Sequence, residues 1–95
     1  MPAYVLVEVD IHDASLYEQY KALTPATLAQ YGGRFLVRGG TADSLEGLSP
    51  AGRVVVLEFE DREAAKRWWS SPEYAVAKAL RHQAATTRLF VVDGA

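Results

Sequence analysis

Two stretches of this chain carry the same short pattern, and that repeat constrains its fold more than any other feature. Val5-Leu6-Val7-Glu8-Val9 resembles Val55-Val56-Leu57-Glu58-Phe59. Each run is followed by an acidic segment, an amphipathic stretch with aromatics, a proline-marked turn of helix and a second apolar run. The second runs are Arg34-Phe35-Leu36-Val37 and Arg88-Leu89-Phe90-Val91. Strand, helix, strand, written twice, is a βαββαβ arrangement. At 95 residues the chain has length for one domain, residues 1–95, and not for two.

The element boundaries follow from local chemistry. Strands are expected over residues 3–10, 34–38, 53–59 and 88–92, where β-branched and aromatic residues concentrate. Asp13, Asp61 and Ser71 are expected N-caps, and Pro72 suits the first turn after Ser71. Leu16, Tyr17, Tyr20 and Leu23 recur on one helical face. Thr24-Pro25 predicts a break or kink in that helix, which Gly32-Gly33 then ends. Residues 41–52 are the longest irregular stretch; they serve a function or simply connect. The fold class expected is α+β and ferredoxin-like: a four-stranded antiparallel-type sheet, order 4-1-3-2, with the helices on one face. In that arrangement the first and third strands are expected to be parallel neighbours.

Composition removes several functions. There is no cysteine, hence no thiolate nucleophile, disulfide or zinc knuckle, and a cytoplasmic location is expected. The net charge of −2 offers no basic face, so no nucleic acid is expected as partner. No apolar run is long enough to span a membrane, and no leader pattern precedes the first strand. There is no Walker loop, no G-x-G-x-x-G and no G-x-S-x-G elbow, so no nucleotide or other cofactor is expected. The two histidines lack metal-ligand spacing, and no metal is expected.

Strands one and three are apolar on both parities. A sheet with helices on one side then leaves an apolar second face, which monomers avoid. An identical sheet from another subunit is the most economical cover, so a homodimer is expected.

Several residues are candidates for chemistry. Glu8 and Glu58 occupy equivalent places in the two halves and are expected on one sheet face, near the strands' C-terminal ends. Arg88 should fall beside Glu8, and Arg34 beside Glu58. The pairs are either structural ion pairs or anion grips in a cleft. His12, at the end of the first strand, is either a general base or a solvated turn residue. Tyr17, Tyr20, Tyr31, Trp68, Trp69 and Tyr74 either line a pocket or simply form core; of Trp68 and Trp69, only one can face inward.

The chain resembles the domain-of-unknown-function family 1330 of the dimeric α+β barrel superfamily. The matching stretches are Tyr17-Glu18-Gln19-Tyr20, Tyr31-Gly32-Gly33-Arg34-Phe35-Leu36-Val37-Arg38-Gly39-Gly40, Val55-Val56-Leu57-Glu58-Phe59 and Ser71-Pro72-Glu73-Tyr74. The resemblance implies a βαββαβ protomer whose sheet pairs with a second sheet, and it implies no activity. Tyr20, Arg34 and Arg38 belong to the family's recurring pattern. Together these readings lead to an expected homodimer that binds a small organic molecule, acidic or aromatic, between sheet and helices. Glu8, Glu58 and His12 are the catalytic candidates; Tyr17, Tyr20, Arg34, Arg38, Arg88 and Trp68 are the ligand-binding candidates. The alternatives are a cofactor-independent monooxygenase or isomerase, as in distant members of the superfamily, and a non-catalytic regulatory or structural dimer.

Overall fold

The computed structural model describes residues 1–50 and 52–95. Its elements run β1 (Ala3–Ile11), α1 (Ala14–Gln30), β2 (Arg34–Arg38), β3 (Arg53–Phe59), α2 (Arg62–Trp69), α3 (Pro72–Ala84) and β4 (Ala85–Asp93). The four strands form one sheet in the order β2-β3-β1-β4. The ferredoxin-like arrangement and strand order are those the repeat predicts.

One expectation is overturned. β1 and β3 are antiparallel, as is every other neighbouring pair. Each right-handed crossover skips a strand: α1 joins the parallel pair β1 and β2 across β3, so β3 must run against both. Glu8 therefore lies opposite Val54, and Glu58 opposite Tyr4. The two carboxylates share a face but sit at opposite ends of it, about 13 Å apart along the strands.

The N-caps form as expected. Asp13 accepts from the Leu16 amide, Asp61 from that of Ala64 and Ser71 from that of Tyr74. The predicted break at Pro25 does not occur, and α1 runs unbroken through it. Proline lacks the amide that would bond the Lys21 carbonyl one turn back. Arg38 replaces it, donating from Nη2 to the Lys21 oxygen at 3.1 Å. Thr24 and Thr27 return their hydroxyls to the carbonyls of Tyr20 and Thr24, both at 2.8 Å. Those bonds let threonine occupy buried helix positions. The buried stripe of α1 is accordingly Tyr17, Tyr20, Thr24, Thr27 and Leu28, and Leu23 faces out.

The core lies between the sheet and the helices. Val5, Val7 and Val9 of β1 and Val55, Leu57 and Phe59 of β3 point into it. Trp68 stacks on Tyr74 with 4.1 Å between ring centroids and lies 5.6 Å from the Phe59 ring. Trp68 is 1% exposed and Trp69 42%, the division their adjacency requires.

Among the described residues no helix covers the opposite face. It presents Tyr4 and Leu6 of β1, Val54 and Val56 of β3, Val37 of β2, and Phe90 and Val92 of β4. Phe90, Val92 and Val37 are exposed, and the central positions are only half covered by their strand neighbours. Beyond β2, Leu45 and Leu48 in the connection to β3 are 95% and 99% exposed.

Candidate functional site

The sequence candidates divide between the two faces of the sheet. Glu8, Glu58, Arg34 and Arg88 stand on the open face, away from the helices. Arg88 meets Glu8 at 3.0 Å, and Arg34 meets Glu58 at 2.6 Å. Both pairs follow the cross-strand register, Glu8 opposite Arg88 and Arg34 opposite Glu58. Neither arginine reaches the space between sheet and helices, so neither is placed to hold a ligand there. His12 is exposed, its Nε2 2.7 Å from the Thr86 hydroxyl, and it does not line that space either.

Tyr17, Tyr20, Trp68 and Arg38 do converge, together with Arg53, on the helix side of β1 and β3. The free volume there is about 20 Å³, room for one water molecule and no more. This part of the cleft is packed core.

A larger space lies beside it, between β4 and helices α2 and α3. This groove has a volume of about 330 Å³, within the range of small-molecule sites. Trp68, Trp69, Leu89, Val91 and Phe90 make its apolar walls. Lys66, Arg81, His82 and Thr87 supply its polar groups, and no carboxylate lines it.

Arg81 is the unusual member of this set. It is 3% exposed, yet among the described residues no carboxylate lies within 4.0 Å of it. Its Nε makes a long 3.4 Å hydrogen bond to the Tyr74 hydroxyl, and its guanidinium carbon lies 6.0 Å from the Tyr20 ring centre. Removing a guanidinium from water without a counter-charge costs several kcal/mol. A cation–π contact at that distance returns about 0.5–2 kcal/mol. The Thr87 hydroxyl, on the helix-facing side of β4, is fully buried without a partner, as is Arg53 Nε beside the packed part of the cleft.

A chain of hydrogen bonds backs the groove. The Tyr20 and Tyr74 hydroxyls are 2.8 Å apart, and the Trp68 indole N–H donates to Thr27 Oγ1 at 3.1 Å. Burial, then the neighbouring Tyr74 hydroxyl, raises the Tyr20 pKa well above that of a free phenol. Burial and Tyr20 raise that of Tyr17, with Arg53 opposing. Both remain protonated at neutral pH and act as donors, not bases. At the groove's rim, His82 is shifted the other way. Partial burial first, then the charges of Arg81 and Lys78, lower its pKa.

Lys66, Arg81, His82 and Thr87 are the polar groove residues that the sequence candidates leave out. A signal for Arg81 was present. It falls at i+7 from Tyr74 and i+4 from Ala77, on the buried stripe of α3 with Ala84.

The chain belongs to the DUF1330 family, a domain of unknown function that matches residues 2–95. Among solved structures it is similar to RPA0582, a protein of unknown function from Rhodopseudomonas palustris. That match has 21% identity and a TM-score of 0.77, covering 99% of this chain and 82% of the other. It is also similar to a dimeric ferredoxin-like protein of unknown function from Jannaschia sp. CCS1, with 13% identity, a TM-score of 0.73 and coverage of 99% and 100%. A third is SnoaB from Streptomyces nogalater, a cofactor-independent oxygenase, with 15% identity, a TM-score of 0.69 and coverage of 99% and 93%. At these identities the likeness is one of fold. No curated protein has significant sequence similarity to the chain.

Proposed function

We propose that this chain is a homodimer that binds a small organic molecule in the groove between β4 and helices α2 and α3. The groove's volume and lining carry the reading: about 330 Å³ of space walled by two tryptophans and aliphatic side chains, with a few polar groups at one side. The dimer rests on the uncovered face of the sheet, whose apolar residues a second sheet would bury. The Jannaschia protein, of the same fold, is described as dimeric. A thermal-shift screen with aromatic acids and lactones tests the ligand reading, repeated on Val91→Trp to fill the groove. Hits that stabilise the wild type and lose their effect in a folded Val91→Trp protein are expected. Hits indifferent to that substitution would place binding elsewhere.

A catalytic role stands second, on one observation. His82 borders the groove with its pKa lowered, so at neutral pH it is a free base beside the apolar walls. SnoaB works without a cofactor on a similar fold. Turnover of a screening hit that His82→Gln abolishes would favour the enzyme; binding without turnover favours a sensing or regulatory dimer.

A further inference from the structure

We propose that the ligand of this groove is an organic monocarboxylate with an apolar body, and that Arg81 is the residue that receives its carboxylate. The inference deepens the ligand reading above and rests on it. Four observations converge. First, Arg81 is buried, and among the described residues it has neither a carboxylate partner nor a hydrogen bond from its terminal nitrogens. The other buried-side aromatic contacts, Tyr20 and Tyr74, are neutral and do not balance a guanidinium. Second, the Thr87 hydroxyl lines the same groove, buried and unsatisfied. Buried hydroxyls nearly always find a partner within the fold, so an orphan facing a groove marks a place where the partner comes from outside. Third, the ionisable side chains lining the groove are Lys66, Arg81 and His82, all basic, in a chain whose net charge is −2. The local potential there opposes that of the molecule and favours an anion. Fourth, the rest of the lining is tryptophan, leucine, valine and phenylalanine, which a phosphate or a sugar would leave unsatisfied and a hydrophobic body would cover.

A guanidinium and a carboxylate match as planar partners, with two parallel N–H···O bonds. A carboxylate so held would give Arg81 its missing counter-charge and leave lone pairs free to accept from the Thr87 hydroxyl, which lines the same groove. Lys66 at the rim would draw the anion in without fixing it. The helix-end position of Arg81, in the last turns of α3, eases its burial in the empty protein but leaves the donors unused.

The experiment uses matched probes: benzoate and phenylacetate against benzamide and phenylacetamide at constant ionic strength. They are followed by thermal shift and by the Arg81 side-chain Nε–H signal in NMR. The acids are expected to stabilise the protein and to shift the Arg81 signal saturably. The amides, equal in shape and neutral, should bind at least tenfold more weakly. Arg81→Met should lose acid binding. It should also raise the melting temperature of the empty protein, since it removes an unpaired buried charge, an effect that a structural ion-pair arginine would not give. Thr87→Val, which keeps the volume, should weaken acid binding severalfold and leaves the inference testable if Arg81→Met folds poorly. Equal binding of acids and amides would overturn the anion assignment while leaving a ligand site in the groove. An unmoved Arg81 signal with saturating acid would overturn the assignment as well; the Val91→Trp screen then judges the groove on its own.

Discussion

The hydroxyls of Tyr20 on α1 and Tyr74 on α3 lie 2.8 Å apart, in a place closed to water, and join the two longest helices. Each is the main polar partner of the other; Tyr74 also takes the long bond from Arg81. Tyr20→Phe leaves a buried hydroxyl on Tyr74 with only that bond, at a cost of about 1–3 kcal/mol. Tyr74→Phe leaves the Tyr20 hydroxyl without a partner and also strands Arg81 Nε. The double substitution should cost less than the two singles together, because no buried hydroxyl is then left without its partner and the Arg81 bond is lost in both the Tyr74→Phe single and the double. Urea denaturation of the four proteins measures the coupling, and strict additivity would show that the pair contributes nothing.

Tyr20 also sets the alkaline limit of stability, with Tyr17. In the unfolded chain a tyrosine ionises near its ordinary value of 10.0. In the folded protein Tyr20 keeps its proton well beyond that, chiefly because burial disfavours the phenolate, and Tyr17 follows it in direction. Below pH 10 both states are protonated and the contribution to stability is constant. Above it the unfolded state binds fewer protons than the folded one, so stability falls as pH rises. Melting temperature against pH should be flat near neutrality and turn down from about pH 10, with a shallower fall in Tyr20→Phe. An identical slope in that variant would count against Tyr20 as the source.

Two adjacent glycines at the end of α1 are required for different reasons. Gly32 has φ +73°, and a Cβ there would meet nothing within 4 Å. Gly32→Ala therefore costs only the left-handed backbone, about 1–2 kcal/mol. At Gly33 a Cβ would lie 2.7 Å from the Phe59 ring and 3.0 Å from Leu28. Gly33→Ala overpacks the core, at about 1–3 kcal/mol. Phe59→Leu should partly rescue Gly33→Ala and leave Gly32→Ala unrescued. Double-mutant denaturation distinguishes them.

Pro25 and Arg38 form a compensating pair across α1 and β2. Arg38→Ala strands the Lys21 carbonyl, at about 1 kcal/mol. Pro25→Ala restores an amide that can take that carbonyl, so the loss on Arg38→Ala should shrink in the Pro25→Ala background. Equal losses in both backgrounds would mean that Arg38 serves another purpose.

The repeat made the strands, their order and the partners of Glu8 and Glu58 legible, because cross-strand register follows once the two halves are aligned. It did not reveal that β1 and β3 oppose each other, which depends on how each crossover skips a strand, and this separated the two glutamates. Pro25 carries a strong local signal for a break, yet the guanidinium of Arg38 in β2, 17 residues along the chain from the Lys21 carbonyl it satisfies, overrides it. Arg81 was obscured by its type. On the α3 stripe it stands among Tyr74, Ala77 and Ala84, and the burial of a charge without an acidic partner is a property of the folded groove alone.

The open face makes the last prediction. Val56 lies at its centre, paired with Leu6 on one side and Val37 on the other. If a second sheet covers this face, a lysine at position 56 adds an unmatched positive charge to the interface, because the carboxylates two positions away on the same face, Glu58 and Glu8, are already paired with Arg34 and Arg88. Val56→Lys should then leave the far-ultraviolet circular dichroism unchanged and reduce the sedimenting species from a dimer to the 10.4 kDa chain. In a monomer the same lysine would extend into water and cost little. Arg34→Ala and Arg88→Ala sharpen the distinction. As exposed pairs they are worth about 0–1 kcal/mol each. Inside a dimer their loss leaves buried carboxylates uncompensated and weakens association by about 3–5 kcal/mol. Sedimentation of the wild type as a single 10.4 kDa species at micromolar concentration would remove the second sheet, and the apolar face would then require a different cover.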